Sequence, residues 1–341
     1  MLRFEIIPKR LFFKQPAGTS RGVYNTRDIR LLKFYDSCVP HIVGLGECAP
    51  LLNLSCDDIP DYDAILNDFC NRTIADGKIP YNDVKNYPSM LFGIETALKH
   101  LQKGDYALWN TPFSRGEQGI QINGLIWMGD YSKMLEQIEV KMEQGFRCIK
   151  LKIGAINFDD ELKLLKLIRS HFSSNEVELR VDANGAFYPS DALEKLKRLS
   201  EFELHSIEQP IKAGQYEAMA QLTQQSPLPI ALDEELIGKN SMENKINLLD
   251  SVKPQYIVLK PSLHGGFKGS EEWIGLADER NIGWWVTSAL ESNIGLNAIA
   301  QWCATLDNPL PQGLGTGALY TNNIDMPLSV IGDCLWYGNS L

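Results

Sequence analysis

Five side chains of the types used for proton transfer and metal binding recur at a nearly constant interval. They are Lys152, Asp182, Glu208, Asp233 and Lys260, separated by 30, 26, 25 and 27 residues. Each of the three acids closes a short run rich in β-branched residues, and the interval matches one strand-loop-helix-loop unit of about 30 residues. Residues repeating in this way stand side by side on the C-terminal rim of a closed parallel barrel, where barrel enzymes carry their chemistry. The expected arrangement is a mouth with a lysine, three carboxylates and a second lysine in consecutive order.

Lys150 and Lys152 lie two apart on one strand and share a face, leaving Ile149, Leu151 and Ile153 on the other. Two close ammonium groups inside a mouth depress each other's pKa, and a lysine brought toward neutrality is a usable base. The bland alternative is an edge strand with solvated lysines; the flanking Ile and Leu argue for burial. Taken singly, Asp182 in VDANG could serve a turn and Asp233 could cap the next helix. On three consecutive strands, however, inward carboxylates repel strongly unless a cation lies among them. An all-oxygen set suits Mg²⁺, with Mn²⁺ as a substitute. None of the five histidines pairs at metal-ligand spacing, which disfavours zinc. Lys260, in VLKPSLHGG, falls across the mouth from Lys152, although alone it could be a surface residue at a loop start. A carboxylate substrate held between the two lysines could lose its α proton to give an enediolate, which a divalent metal and an ammonium stabilise.

The elements needed to position these groups are visible from about residue 120. Strand-like runs are 121–128, 148–153, 177–183, 205–209, 230–234, 256–260 and 284–289. Helical patterns lie between them: Phe158, Leu162, Leu165, Ile168 and Phe172 trace one face of an amphipathic helix over 157–172. No GxGxxG follows the first strand, so a dinucleotide fold gains no support. Residues 1–115 differ. FEIIPKRLFF and IRLLKFYD resemble antiparallel strands, joined by the polar loop KQPAGTSRGVYNTRD; GLGECAPLLNLSCDD is expected as a second loop, and PSMLFGIETALKHLQKG as a helix closed by Gly104. The expected fold is α/β: a (β/α)7β modified TIM barrel over 119–317, with an α+β capping domain over 1–118 to which residues 318–341 return.

The chain has 341 residues, 44% hydrophobic and 22% charged, ordinary values for a soluble globular protein. A net charge of −10 argues against nucleic acid or an anionic membrane as partner, while a small carboxylate substrate remains compatible through local cations or a metal. Seven cysteines without a CxxC pair fit reduced thiols, and no signal peptide or membrane span is evident, so a cytoplasmic location is expected. Nothing in the sequence fixes an oligomeric state.

At these residues the chain resembles the enolase superfamily, in particular its muconate-lactonizing-enzyme-like subgroup with a KxK motif on the second barrel strand and a lysine on the sixth. The matching segments are IKLKIG (149–154), VDAN (181–184), IEQP (207–210), ALDEE (231–235), VLKP (258–261), SALESNIG (288–295) and QGLGTGALYTNN (312–323). With GTSRG (18–22), GECAPL (46–51) and LFGIETAL (91–98), the likeness covers nearly the whole chain and is strongest to the o-succinylbenzoate synthase family. The resemblance implies a Mg²⁺ held by Asp182, Glu208 and Asp233. It implies that Lys152 removes the α proton and then protonates the departing hydroxide in a syn dehydration, giving an aromatic product of menaquinone biosynthesis. Lys260 would stabilise the enediolate from the opposite face, and Lys150 would support Lys152. Loops matching Gly18 to Tyr24 and Pro50 to Cys56 would line the substrate, so Gly18, Thr19 and Ser20 join Ser262, Ser288 and Asn293 as candidate substrate contacts. Asn184 and Glu234 would orient the ligands, although simple capping explains them equally well.

The nearest rival is an N-succinylamino acid racemase or another amino-acid or dipeptide epimerase of the same superfamily, in which Lys152 and Lys260 would both be bases. A non-catalytic binding barrel is set against by functional residue types at all five positions. Glycosidase chemistry from two carboxylates needs neither the third acid nor the lysines.

Overall fold

The computed structural model describes residues 1–19 and 22–338. The chain opens with an antiparallel sheet of β1 (Leu2–Thr19), β2 (Gly22–Asp36) and β3 (Val39–Cys48) in that order. Phe4 pairs with Phe34 and Ile6 with Leu32, so one face of the ribbon is apolar. That face packs on the helices that follow: α1 (Tyr62–Asp76), the short α2 (Tyr81–Val84) and α3 (Pro88–Lys103). Proline starts α3 and Gly104, at φ 70°, closes it as expected.

Two sequence expectations fail here. The segment 14–28, expected as a polar loop, is mostly strand, with pairing that continues through Ala17–Tyr24. Its polar residues mark an exposed ribbon face, while Ala17 and Tyr24 bury against Leu51 and Leu290. The GLGEC stretch, also expected as a loop, is the end of β3. Its glycines allow close approach: a Cβ on Gly46 would overlap the carbonyl oxygen of Gly93 in α3, and a Cβ on Gly93 would overlap Cys48 Sγ. Gly46→Ala therefore has to push strand from helix, and a loss of about 3 kcal/mol is expected in chemical denaturation.

The barrel begins after β4 (Ile120–Gln121). It runs β5 (Gly124–Ile126), α4 (Tyr131–Glu143), β6 (Cys148–Lys152), α5 (Phe158–His171), β7 (Glu178–Asp182), α6 (Pro189–Ser200) and β8 (Ser206–Glu208). It continues with α7 (Tyr216–Gln225), β9 (Ile230–Leu232), α8 (Met242–Val252), β10 (Tyr256–Leu259), α9 (Gly266–Asp278), β11 (Gly283–Val286) and α10 (Asn293–Cys303). Strands β5 to β11 are neighbours in chain order, and all their pairings are parallel. The sheet closes through residues 312–313: Gln312 bridges Ile122 and Gly313 bridges Thr287, both parallel, giving the eighth position of a modified TIM barrel.

Residues 319–322 lie along β1, where the Thr321 N–H donates to the Phe12 carbonyl at 2.9 Å. The last strands, β12 (Leu328–Ile331) and β13 (Cys334–Tyr337), form a hairpin whose β13 pairs with β4. Two carboxylates fasten the capping domain to the barrel. Glu47 on β3 accepts the N–H groups of Ser292 (2.9 Å) and Gly295 (3.0 Å) at the start of α10. Glu95 on α3 accepts those of Phe267 (2.6 Å) and Lys268 (3.3 Å) at the start of α9. Among the described residues no helix is long and apolar enough to cross a membrane.

Candidate active site

The parallel register sets the five groups in a row. Lys152 lies opposite Asp182 on β7, and Asp182 lies opposite Glu208 on β8. Asp233 and Lys260 are the first residues past β9 and β10. One carboxylate oxygen from each of Asp182, Glu208 and Asp233 lies within 4.8 Å of the others, and all three residues are buried. Ile149, Leu151 and Ile153 join the apolar layer beneath the helices, so alternation on β6 turns Lys150 and Lys152 into the mouth.

The three lysines stand on the acid row. Lys150 Nζ is 2.9 Å from Asp182 and also contacts Glu208. Lys152 Nζ donates to Asp182 at 3.1 Å and to Asn184 Oδ1 at 2.7 Å, and Lys260 Nζ donates to Asp233 at 2.7 Å. In the metal-free chain these contacts oppose the expected effect on Lys150. Burial alone would lower its pKa, but the facing carboxylates, Asp182 first, outweigh burial and hold the ammonium up. Lys260 is raised in the same way, by Asp233 first. The carboxylates separate: burial followed by its acidic neighbours pushes Glu208 up to about 8, whereas Lys150 and Lys152 overcome burial to hold Asp182 well below the usual range.

Neighbouring amides brace the row. Asn184 takes the Lys152 proton donor on Oδ1, gives its own N–H₂ to Glu234 at 3.0 Å, and sits at φ 44° with its backbone N–H on Asp182. Fully buried Gln209 accepts from the N–H groups of Asp233 and Glu235 at 3.2 Å each, fixing the turn that carries Asp233. The triad fits a hard divalent cation by its donor chemistry: three converging carboxylates offer only oxygen, and buried Glu208 Oε1 has no hydrogen-bond partner.

The row floors a cleft of about 800 Å³. Lys150, Lys152, Asp182, Asn184, Glu234, Lys260 and Ser288 all line it. Leu51 and Leu54 from the 50–56 loop form an apolar wall with Leu290, a non-glycine residue held at φ 65°. Other expected contacts fall elsewhere. Ser262 is buried and bonds Glu291, because a hydroxyl shut away from water takes the nearest carboxylate. Asn293 is the first residue of α10 and packs beside Gly317, outside the cleft wall, as is Gly18. The Thr19 side chain and Ser20 lie outside the described residues. Asn123, Leu125 and Trp127 were not anticipated, yet all three line the cleft. Positions 123, 125 and 127 share one face by the same two-residue alternation that pairs Lys150 with Lys152.

Burial also pushes Asp57 up to about 6, Glu234 to about 7 and Glu95 to about 8. A carboxyl whose folded-state pKa is raised binds its proton more tightly folded than unfolded. Its contribution is whole below the unfolded value and is lost as pH rises to the folded one. Buried His100 and His264 and half-buried His205 are lowered by burial and act below pH 6.5, and Asp182 acts lower still. The chelator-treated chain is therefore expected to melt at progressively lower temperature from pH 6.5 to 8, as a denaturation series at fixed ionic strength would show.

A parallel barrel with a capping sheet, and a metal-ready acid row between lysines at its mouth, define the class. The enolase C-terminal domain-like family profile matches residues 133–331, and the chain belongs to that family. The o-succinylbenzoate synthase of Desulfotalea psychrophila is 46% identical, with 95% of this chain and 96% of the relative covered. The crystal structure of MenC from Desulfotalea psychrophila superposes with a TM-score of 0.82 at 41% identity, covering 98% and 99% of the two chains. A substrate-liganded L-Ala-D/L-Glu epimerase from Bacillus subtilis shares the fold at a TM-score of 0.81 and 18% identity, covering 98% and 95%.

Proposed function

We propose that this chain catalyses the o-succinylbenzoate synthase reaction, the syn dehydration of 2-succinyl-6-hydroxy-2,4-cyclohexadiene-1-carboxylate to 2-succinylbenzoate, as a Mg²⁺-dependent hydro-lyase. The observation that carries it is the placement of Lys152 and Lys260 at the two ends of one buried acid row, in a cleft walled by leucines. Near-full-length likeness to a synthase of that name supports the choice of substrate.

Asp182, Glu208 and Asp233 would hold the metal. When bound, Mg²⁺ supplies positive charge that neutralises the three carboxylates and polarises a substrate carboxylate. Lys152, as the free amine, takes the α proton on Nζ, with Asn184 and Asp182 aiming that atom. The resulting Lys152 ammonium returns the proton to the departing hydroxyl on the same face, so water leaves and the ring becomes aromatic. The Lys260 ammonium, held by Asp233, faces the charge that develops on the substrate carboxylate. Lys150 keeps the row electrically balanced. Leu51, Leu54 and Leu290 exclude water around the reacting carbon.

The test is direct assay with Mg²⁺. Ultraviolet loss of the diene with formation of 2-succinylbenzoate is expected. Racemisation of N-succinylamino acids without any dehydration would replace this reading with the racemase one.

A further inference from the structure

A second cleft of about 440 Å³ lies between the capping domain and the barrel and shares no lining residue with the first. The capping domain contributes Tyr81, Asn82, Lys85 and Leu91; the barrel contributes Lys245 of α8 and the stretch from His264 to Glu272. Its charge is opposite to that of the chain. Three lysines, 85, 245 and 268, face one carboxylate, Glu272, in a protein of net charge −10.

The partners of these groups leave cationic capacity unused. Lys245 is buried and donates to the Gly269 carbonyl and to Glu272, both at 2.8 Å. Lys268 stands 3.9 Å from the same Glu272, and Lys85 forms no ion pair among the described residues. Burial, with the charges of Lys268 and Lys85, lowers the Lys245 pKa against the pull of Glu272, as expected for ammonium groups gathered at one place. Glu95 already occupies the first amides of α9, so a ligand here would be held by side chains rather than by the helix terminus.

His264 supplies an independent sign of a missing partner. Its ring is 1% exposed, and Nδ1 accepts the backbone N–H of Lys260 at 3.0 Å. A backbone N–H can only donate, which places the neutral ring's proton on Nε2. That Nε2 is buried, has no hydrogen-bond partner, and belongs to a residue lining the cleft. Buried donors without partners are rare in native structures.

We propose that this cleft binds a small dianionic oxyanion between the ammonium groups of Lys85, Lys245 and Lys268 and the Nε2–H of His264. The occupant would tie Lys85 of the capping domain to the barrel, and His264 would link it to the backbone of Lys260. Phosphate and a dicarboxylate share the required chemistry, and the test separates them.

Thermal denaturation of the Mg²⁺-loaded full chain with inorganic phosphate, or with succinate, is compared with chloride at equal ionic strength. A saturable rise in Tm with either anion is expected, and its apparent dissociation constant should weaken about tenfold or more in a Lys85→Ala/Lys268→Ala double variant. Both lysines reach solvent, so this variant keeps the core intact. A response to phosphate alone or to succinate alone identifies the class of ligand. No rise beyond chloride with either anion overturns the proposal. So does an equal rise in the wild type and the double variant, which would put the anion elsewhere, including among the active-site lysines.

Discussion

Lys152→Ala is expected to reduce the dehydration rate by about 100- to 10,000-fold, the range supplied by a positioned general acid-base group. The loss should fall on kcat, because Lys152 moves the proton in both halves of the reaction and one side chain serves as base and then as acid. Lys152→Arg should be nearly as inactive: it restores a cation beside Asp182 but cannot act as a base. This pair separates proton transfer from charge. Lys260→Ala loses a stabilising charge, whereas Lys260→Arg should spare part of the rate. Steady-state kinetics with matched circular dichroism would check all four variants. Equal survival of activity in Lys152→Ala and Lys260→Arg would remove Lys152 from its role.

Glu208→Gln should abolish both turnover and the stabilisation that Mg²⁺ gives. A ligand that binds only the folded state adds RT ln(1 + [L]/Kd), roughly 2.7 kcal/mol at a hundredfold excess over Kd. Glu208 sits between Asp182 and Asp233 with an unpartnered buried oxygen, so it has the most to gain from a cation. For the same reason its neutralisation costs the metal-free chain little, because burial already pushes that carboxyl up to about 8. The variant should therefore melt near the metal-free wild type in chelator and show no rise with Mg²⁺. A full Mg²⁺ response in Glu208→Gln would mean the ion is held elsewhere.

The five-residue row was legible because barrel geometry converts a sequence interval into neighbouring positions. Once β6 to β10 are parallel and in register, residues at strand ends must meet. The alternation of lysine with isoleucine and leucine at 149–153 fixed which face carried the ammonium groups. What stayed hidden depends on partners distant in sequence. Gly44 and Gly46 look like loop residues until α3 is laid against them. Ser262 and Asn293 sit at suitable strand and helix ends, but neither residue type reveals whether a buried carboxylate or the substrate lies opposite. Gln209 is hidden because an amide bracing two backbone N–H groups has no periodic signature. The pKa direction of Lys150 in the metal-free chain depends on acids carried by other strands, which the local lysine pair does not reveal. Glu47 and Glu95 cap helices 245 and 172 residues away, a relation that local capping motifs do not encode.

The convergence of Asp182, Glu208 and Asp233 on one divalent ion is tested most directly by anomalous diffraction from crystals of the chain grown with Mn²⁺. The expected result is a single strong peak bonded to oxygens of those three carboxylates, with Lys152 and Lys260 on either side. A peak bound to other residues, or none in crystals of a chain that still dehydrates the substrate, would contradict it.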